Sequence, residues 1–185
     1  MKHFLMLAAL LTGTFCMAEN LLQNGDMKTQ KGWAIWGGSP SDAKIRAKIL
    51  SYVNEGPNGA RVLKFKETFS KYNTYLIQWV PVSDVTAESQ FKLTFSLKAE
   101  AGKTFPIRLQ MMMPDPEKPG KTKYAGYFER KIVGTGDWKR YEMAFSKLKP
   151  GLSKIGLAFY PQTDILDKSQ TGSFLLTDVS LELVR

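Results

Sequence analysis

Nucleophilic and redox chemistry is scarce in this chain: its 185 residues include one cysteine, Cys16, and one histidine, His3. Both fall in a stretch that reads as a leader. Met1-Lys2-His3 is a short positive start, residues 4–11 form an apolar run too short to span a bilayer, and small residues lead to Cys16-Met17-Ala18. This is the pattern of a secretory signal peptide (residues 1–18) cut after Ala18, leaving residues 19–185 as a single exported domain. The rival reading makes Cys16 an acylated residue, but Phe15 directly before it and the lack of a Leu three residues before it argue against lipidation. Without the leader the protein has no disulfide, so its stability must come from burial. A Ser-His-Asp triad, a cysteine nucleophile and a Cys/His zinc site are all excluded. Carboxylates, lysine, tyrosine and arginine remain. Asp115 and Glu117 lie in a loop rich in Pro, Gly and charge, residues 114–123, which does not suggest the fixed separation and raised pKa of a glycosidase pair.

Acidic residues are also in deficit. There are 26 Lys and Arg against 17 Asp and Glu, a formal charge of +9. Such a surplus attracts polyanions. Outside the cytoplasm these are acidic glycans, lipopolysaccharide or anionic surfaces more than nucleic acid. The lysines are scattered rather than blocked, which is equally the pattern of a solvated surface. The chain has no sustained helical period, internal repeat, low-complexity linker or transmembrane run.

What it does have is period-two alternation between turn signals. Phe91, Leu93, Phe95 and Leu97 face one way while Lys92, Thr94, Ser96 and Lys98 face the other, as in a half-buried antiparallel strand. Ile107, Leu109, Met111 and Met113 point inward in the next run, leaving Arg108, Gln110 and Met112 opposite; the methionine run reads as packing. Residues 124–133 follow, then a strand with Tyr141, Met143 and Phe145 on one face, then one with Ile155, Leu157 and Phe159 opposed to Gly156, Ala158 and Tyr160. Residues 43–53, 60–66 and 75–82 read as earlier strands, with Pro81 marking an edge or a strand end. In the last of these Tyr75, Ile77 and Trp79 share one face and Leu76, Gln78 and Val80 the other, and alternation does not say which is core. The opening Asn20-Leu21-Leu22-Gln23-Asn24-Gly25-Asp26 and the closing residues 174–184 each read as a strand. Pairing of the first and last strands ties down termini and suggests a closed module with no attached catalytic domain.

The order of these pieces resembles the secreted carbohydrate-binding modules of the galactose-binding-like jelly roll that accompany many cellulases and xylanases. The opening residues 20–26, the Gly32-Trp33 pair, Gln78, the strand 91–99, Gly136-Asp137-Trp138-Lys139-Arg140-Tyr141 and the closing Leu176-Thr177-Asp178-Val179-Ser180-Leu181 carry the resemblance. It implies an all-β sandwich of about 8–11 antiparallel strands, with a concave sheet face as the binding groove. It places Trp33 and Trp138 at positions that are usually core. Members often hold a structural calcium ion between the two ends, where the opening motif continues with an aromatic and a Glu and the closing motif has paired Asp residues. Here those positions are Met27-Lys28 and Thr177-Asp178. Calcium needs several oxygen ligands, and an ammonium reverses the local charge. The expectation is no cofactor, with Lys28 filling part of calcium's place.

Sugar modules bind through aromatic faces that stack on pyranose rings, helped by a few polar groups. The candidate carbohydrate-binding residues are Trp36, Tyr72, Tyr75, Arg108, Gln110, Tyr127 and Tyr160. Trp36 stands beside Gly37-Gly38 in an expected loop; Tyr72 and Tyr75 flank Asn73-Thr74 at a loop or strand end. Arg108, Gln110, Tyr127 and Tyr160 fall on non-core faces. Structural alternatives stand beside them: a solvated sheet face for Arg108 and Gln110, cross-strand pairing for Tyr127 and Tyr160, core burial for Trp36. The leading functional expectation is a secreted, non-catalytic module for a polysaccharide or cell-surface glycan, the basic surplus favouring an acidic one. Two others stay open. One is a structural or interaction module that kept the fold, lost the groove and serves an envelope complex, another protein or a separately encoded enzyme. The other is a jelly-roll polysaccharide lyase, which needs a tyrosine and a basic residue converging with a carboxylate-binding arginine.

Overall fold

The computed structural model describes residues 19–37, 49–66, 74–161 and 171–185. The leader, Tyr72 and the first part of the expected strand 43–53 lie outside these residues. Ten strands are present among those described: β1 (Ala34–Trp36), β2 (Leu50–Val53), β3 (Val62–Phe65), β4 (Tyr75–Pro81), β5 (Gln90–Ala99), β6 (Thr104–Pro114), β7 (Thr122–Val133), β8 (Trp138–Phe145), β9 (Lys154–Phe159) and β10 (Phe174–Val184). They form two five-stranded sheets, a front sheet in the order β1-β4-β9-β6-β7 and a back sheet in the order β2-β3-β10-β5-β8. Every pairing is antiparallel. The fold is an all-β sandwich, and among the described residues no helix is long and apolar enough to cross a membrane.

Alternation produces the core directly. Phe91, Leu93, Phe95 and Leu97 of β5 meet Phe105, Ile107, Leu109 and Met111 of β6 and Ile155, Leu157 and Phe159 of β9 in one cluster. Burying a side chain of this size contributes about 1.5–3 kcal/mol, which supplies the stability that cross-links do not. In β4 the core takes Leu76 and Val80, so Tyr75, Ile77 and Trp79 point outward.

Gln78 shares the inward face of β4 and is 2% exposed, yet it is satisfied. Its Oε1 accepts the Gln23 N–H at 2.6 Å and its Nε2 donates to the Gln23 carbonyl at 2.9 Å. A buried amide left unpaired would be costly, so this pair fixes the opening segment against β4.

The opening segment is not a strand, contrary to expectation. Asn24 and Met27 have φ of 52° and 55°, which breaks extended backbone. It nevertheless docks on the last strand as expected. β3 pairs with β10 only as far as Leu176, and the opening residues take over that edge beyond it. Leu21 N–H donates to the Leu181 carbonyl at 2.8 Å and Val179 N–H to the Gly25 carbonyl at 2.7 Å. Asn20 Oδ1 accepts the Leu181 N–H at 3.0 Å, and its Nδ2 donates to the Val179 carbonyl at 3.3 Å. Leu22, Met27 and Trp33 are buried behind this strap and join the core. The contact is close because Gly25 has no side chain: a Cβ there would lie 2.0 Å from the Val179 oxygen.

The oxygens at this seam that the resemblance links to calcium have donors of the protein's own beside them. The Asp26 carboxylate meets the Lys28 ammonium at 3.3 Å and also accepts the Lys28 N–H. The Asp26 carbonyl accepts the Thr177 hydroxyl at 3.1 Å. The Lys28 ammonium and the Thr177 hydroxyl thus stand at the two kinds of oxygen, carboxylate and carbonyl, that Asp26 offers.

The expected core position of Trp138 is corrected. It lies on the outer face of the back sheet, opposite Lys98, and its indole N–H donates to the Glu55 carbonyl at 3.1 Å. The loop of residues 54–60 thus folds over the back sheet, where Glu55 also pairs with Lys64 at 3.1 Å. Val62 and Leu175, both on that outer face, are buried. Trp138 has a structural role, as expected, but as the anchor of this loop.

Gly25→Ala is expected to lower unfolding free energy by about 1–3 kcal/mol, the usual cost of forcing a group into filled space; urea denaturation checks it. We propose that the seam is metal-independent, so neither calcium nor EDTA should shift Tm. A calcium-dependent rise reversed by EDTA would contradict this.

Candidate functional site

The core takes one face of each front-sheet strand. The other face collects six of the seven candidate residues. Trp36 opposes Tyr75 across β1 and β4. Gln110 opposes Tyr127 and Arg108 opposes Glu129 across β6 and β7. Tyr160 follows β9, its N–H on the Pro106 carbonyl at 2.9 Å. Trp36 belongs to an edge strand rather than a loop, and it is 51% exposed.

The middle of this face is lined by small residues. Gly156 and Ala158 of β9 stand between Trp79 and Ile77 of β4 and Gln110 and Arg108 of β6. A Cβ at Gly156 would come within 2.8 Å of Trp79 Cε3 and Cζ3, so the Trp79 indole lies against the β9 backbone. Trp36 meets it edge-on, with ring centroids 6.2 Å apart, and the Lys154 ammonium lies 5.1 Å over the same indole. One side of the face is thus a tryptophan pair on a glycine floor.

The other side is built around Arg108. Its guanidinium lies 4.7 Å over the Tyr127 ring and 4.5 Å over the Tyr160 ring, and its Nε donates to Glu129 Oε2 at 2.6 Å. Burial works against the Arg108 charge, but the hydrogen bond to Glu129 and the contacts with Tyr160 outweigh it and raise its pKa. Gln110 Nε2 donates to the Tyr160 hydroxyl at 3.2 Å.

Tyr160 itself is 3% exposed and stacked on Tyr75 at 4.4 Å. It braces the face from below and offers no open ring. Burial first, then Tyr75, push its pKa up to about 12 against the opposing pull of Arg108.

Sequence reasoning missed Trp79, Tyr124, Glu129 and Lys154. Tyr124 and Tyr127 are three apart, which in a regular strand puts them on opposite faces. A bulge removes that conflict: Met111 pairs with Gly126 and Met112 with Tyr124, so Ala125 is the extra residue. Gly126 adopts φ 112°, Ala125 packs on the core, and its carbonyl accepts Lys149 Nζ at 2.6 Å. Both tyrosines then stand on the outer face, 57% and 48% exposed. The Ala125-Gly126 pair was the available signal, since glycine inside a strand marks bulges.

Among the described residues the back sheet offers no comparable platform. Its outer face carries Lys92, Thr94, Ser96, Lys98, Arg140 and Glu142, and the loop anchored by Trp138 crosses it. A pocket of about 210 Å³ beside Lys64, Lys98 and Leu175 is below the usual ligand-site range of about 300–1,000 Å³. Asp115 accepts the Glu117 N–H at 3.1 Å, closing their own turn, so this pair is a loop feature.

The raised Tyr160 and Tyr52 hydroxyls, each at about 12, predict alkaline sensitivity with a definite sign. Folding favours their protonated forms, so the stabilisation is complete below the ordinary tyrosine value of 10.0 and is lost as pH rises through about 12. Urea midpoints should fall across that window, and Tyr160→Phe should flatten the slope.

Comparison with known proteins bears on the fold and the family. No curated protein matches the chain in sequence. Among solved structures, tailspike protein 4 of bacteriophage CBA120 (its enzymatically active domain) matches with a TM-score of 0.62 at 16% identity, over 89% of this chain and 21% of that one. The CBM22-2 xylan-binding domain from Paenibacillus barcinonensis matches with a TM-score of 0.53 at 16% identity, over 85% of this chain and 94% of that one. The CBM22-1–GH10 modules of a Clostridium thermocellum endo-1,4-beta-D-xylanase, complexed with xylohexaose, match with a TM-score of 0.53 at 15% identity, over 91% of this chain and 29% of that one. This chain therefore spans under a third of the tailspike and xylanase chains but nearly all of the isolated module. These likenesses establish the sandwich as the jelly roll of such modules. The family described as a carbohydrate binding domain matches residues 19–168, and the chain belongs to that family.

Proposed function

We propose that this protein is exported by cleavage after Ala18 and binds a polysaccharide or cell-surface glycan on the outer face of its front sheet, without catalysing a reaction of its own. The observation that carries the reading is the gathering of Trp36, Tyr75, Trp79, Tyr124 and Tyr127, with Arg108 and Gln110, on one side of one sheet. Aromatic rings covering C–H faces of pyranoses, with a few amide and guanidinium donors for hydroxyls, are what sugar recognition requires. The rigid strands hold these groups in place before the ligand arrives, which limits the ordering cost of binding. An enzyme acting on the same polymer is the natural companion of such a protein.

The same residues speak against a lyase. A tyrosine base has to ionise readily, yet burial raises Tyr160 to about 12 and also raises Tyr124.

Affinity electrophoresis through gels containing xylan, β-glucan, galactan or polygalacturonate should show retardation by at least one polymer. Trp36→Ala with Tyr127→Ala should abolish it while leaving Tm within about 2–4 °C, the shift expected from small surface effects. Retardation by none of a broad panel would leave the structural or interaction module as the surviving reading.

A further inference from the structure

The charge on the front face deepens the carbohydrate-binding reading, on which this inference rests. Among the described residues, the outward positions of the five strands carry three cations, Arg108, Lys131 and Lys154, and one carboxylate, Glu129. Both oxygens of that carboxylate are engaged. Oε2 accepts Arg108 Nε at 2.6 Å and Oε1 lies 3.6 Å from Lys131 Nζ. Lys154 has no carboxylate within ion-pair distance among the described residues; its ammonium rests over Trp79 instead.

A neutral sugar stacked on Trp79 would take water from Lys154 and from the unpaired part of the Arg108–Glu129–Lys131 group and return only hydroxyl contacts. Removing water from a charge without supplying an opposite one is costly. A negatively charged substituent on the ring reverses that balance. Arg108 adds directionality: Glu129 takes its Nε and Tyr160 bonds the same guanidinium, which fixes the fork, and the rest of its five donors are left for a ligand.

We propose that the polymer held on this face carries negative charge on its pyranose rings, as uronate carboxylates or sulfate esters, and that Lys154 beside Trp79 is the residue that selects it. The two sources share one chemistry, a pyranose with an anionic substituent within reach of a stacked indole.

The test uses the exported chain and matched polymers in physiological salt: polygalacturonate against its carboxyl-reduced form, and dextran sulfate against dextran. At least one charged member should bind about tenfold or more tightly than its neutral twin, and which one identifies the source. Lys154→Gln should reduce that preference several-fold, whereas Lys98→Gln on the back sheet removes the same charge and should leave it in place. Equal losses in the two variants would mean diffuse attraction and overturn the proposal. Neutral twins bound as tightly as charged ones would overturn it while leaving carbohydrate binding intact. Binding of none of these polymers, nor of any in the wider panel above, would overturn both.

Discussion

The shared core claims one face of every strand, and that constraint decides where this protein can act. Without a disulfide, burial between the sheets must hold them together, so Leu76, Leu109, Leu157 and their neighbours are committed inward. Among the described strands, only outward positions are available for binding. On the back sheet these are largely hydroxyls and charges crossed by the loop that Trp138 anchors. On the front sheet they are aromatic, and the exposed rings of Trp36, Tyr124 and Tyr127 stand at its two edges.

That asymmetry depends on small details of backbone. Gly156 lets Trp79 lie against β9, and the bulge at Ala125 turns Tyr124 to the side of Tyr127. The Tyr75–Tyr160 stack and the Arg108 bridge between Tyr160 and Tyr127 then tie β4, β9 and β7 together on their outer side. This face is therefore packed twice over: inward against the sandwich and outward against itself. A platform ordered in this way needs little rearrangement to receive a flat ring.

Much of this architecture was legible in the sequence because alternation is a local signal. The faces of β5, β6 and β9 followed from period two, and the candidates drawn from them fell on one surface. The faces of β4 did not follow, because Ile77 and Trp79 are as apolar as Leu76 and Val80, while polar Gln78 points inward. Its partner, Gln23, is 55 positions away, and no local pattern encodes that contact. The opening motif announces its docking on the last strand, but left-handed turns at Asn24 and Met27 replace the expected strand. The structural role of Trp138 depends on a loop whose Glu55 lies 83 positions away, which no local pattern encodes. Tyr124 was hidden by a one-residue change of register.

The four tryptophans offer the most direct test of where a glycan binds. Trp33 is in the core, Trp138 on the back sheet, and Trp36 and Trp79 on the front face. Their indole N–H resonances can be followed by nuclear magnetic resonance as an oligosaccharide of the bound polymer is added. The account predicts that the Trp36 and Trp79 signals move with saturation while those of Trp33 and Trp138 stay fixed. Movement of Trp138 with Trp36 and Trp79 unchanged would place the ligand on the other sheet and contradict it.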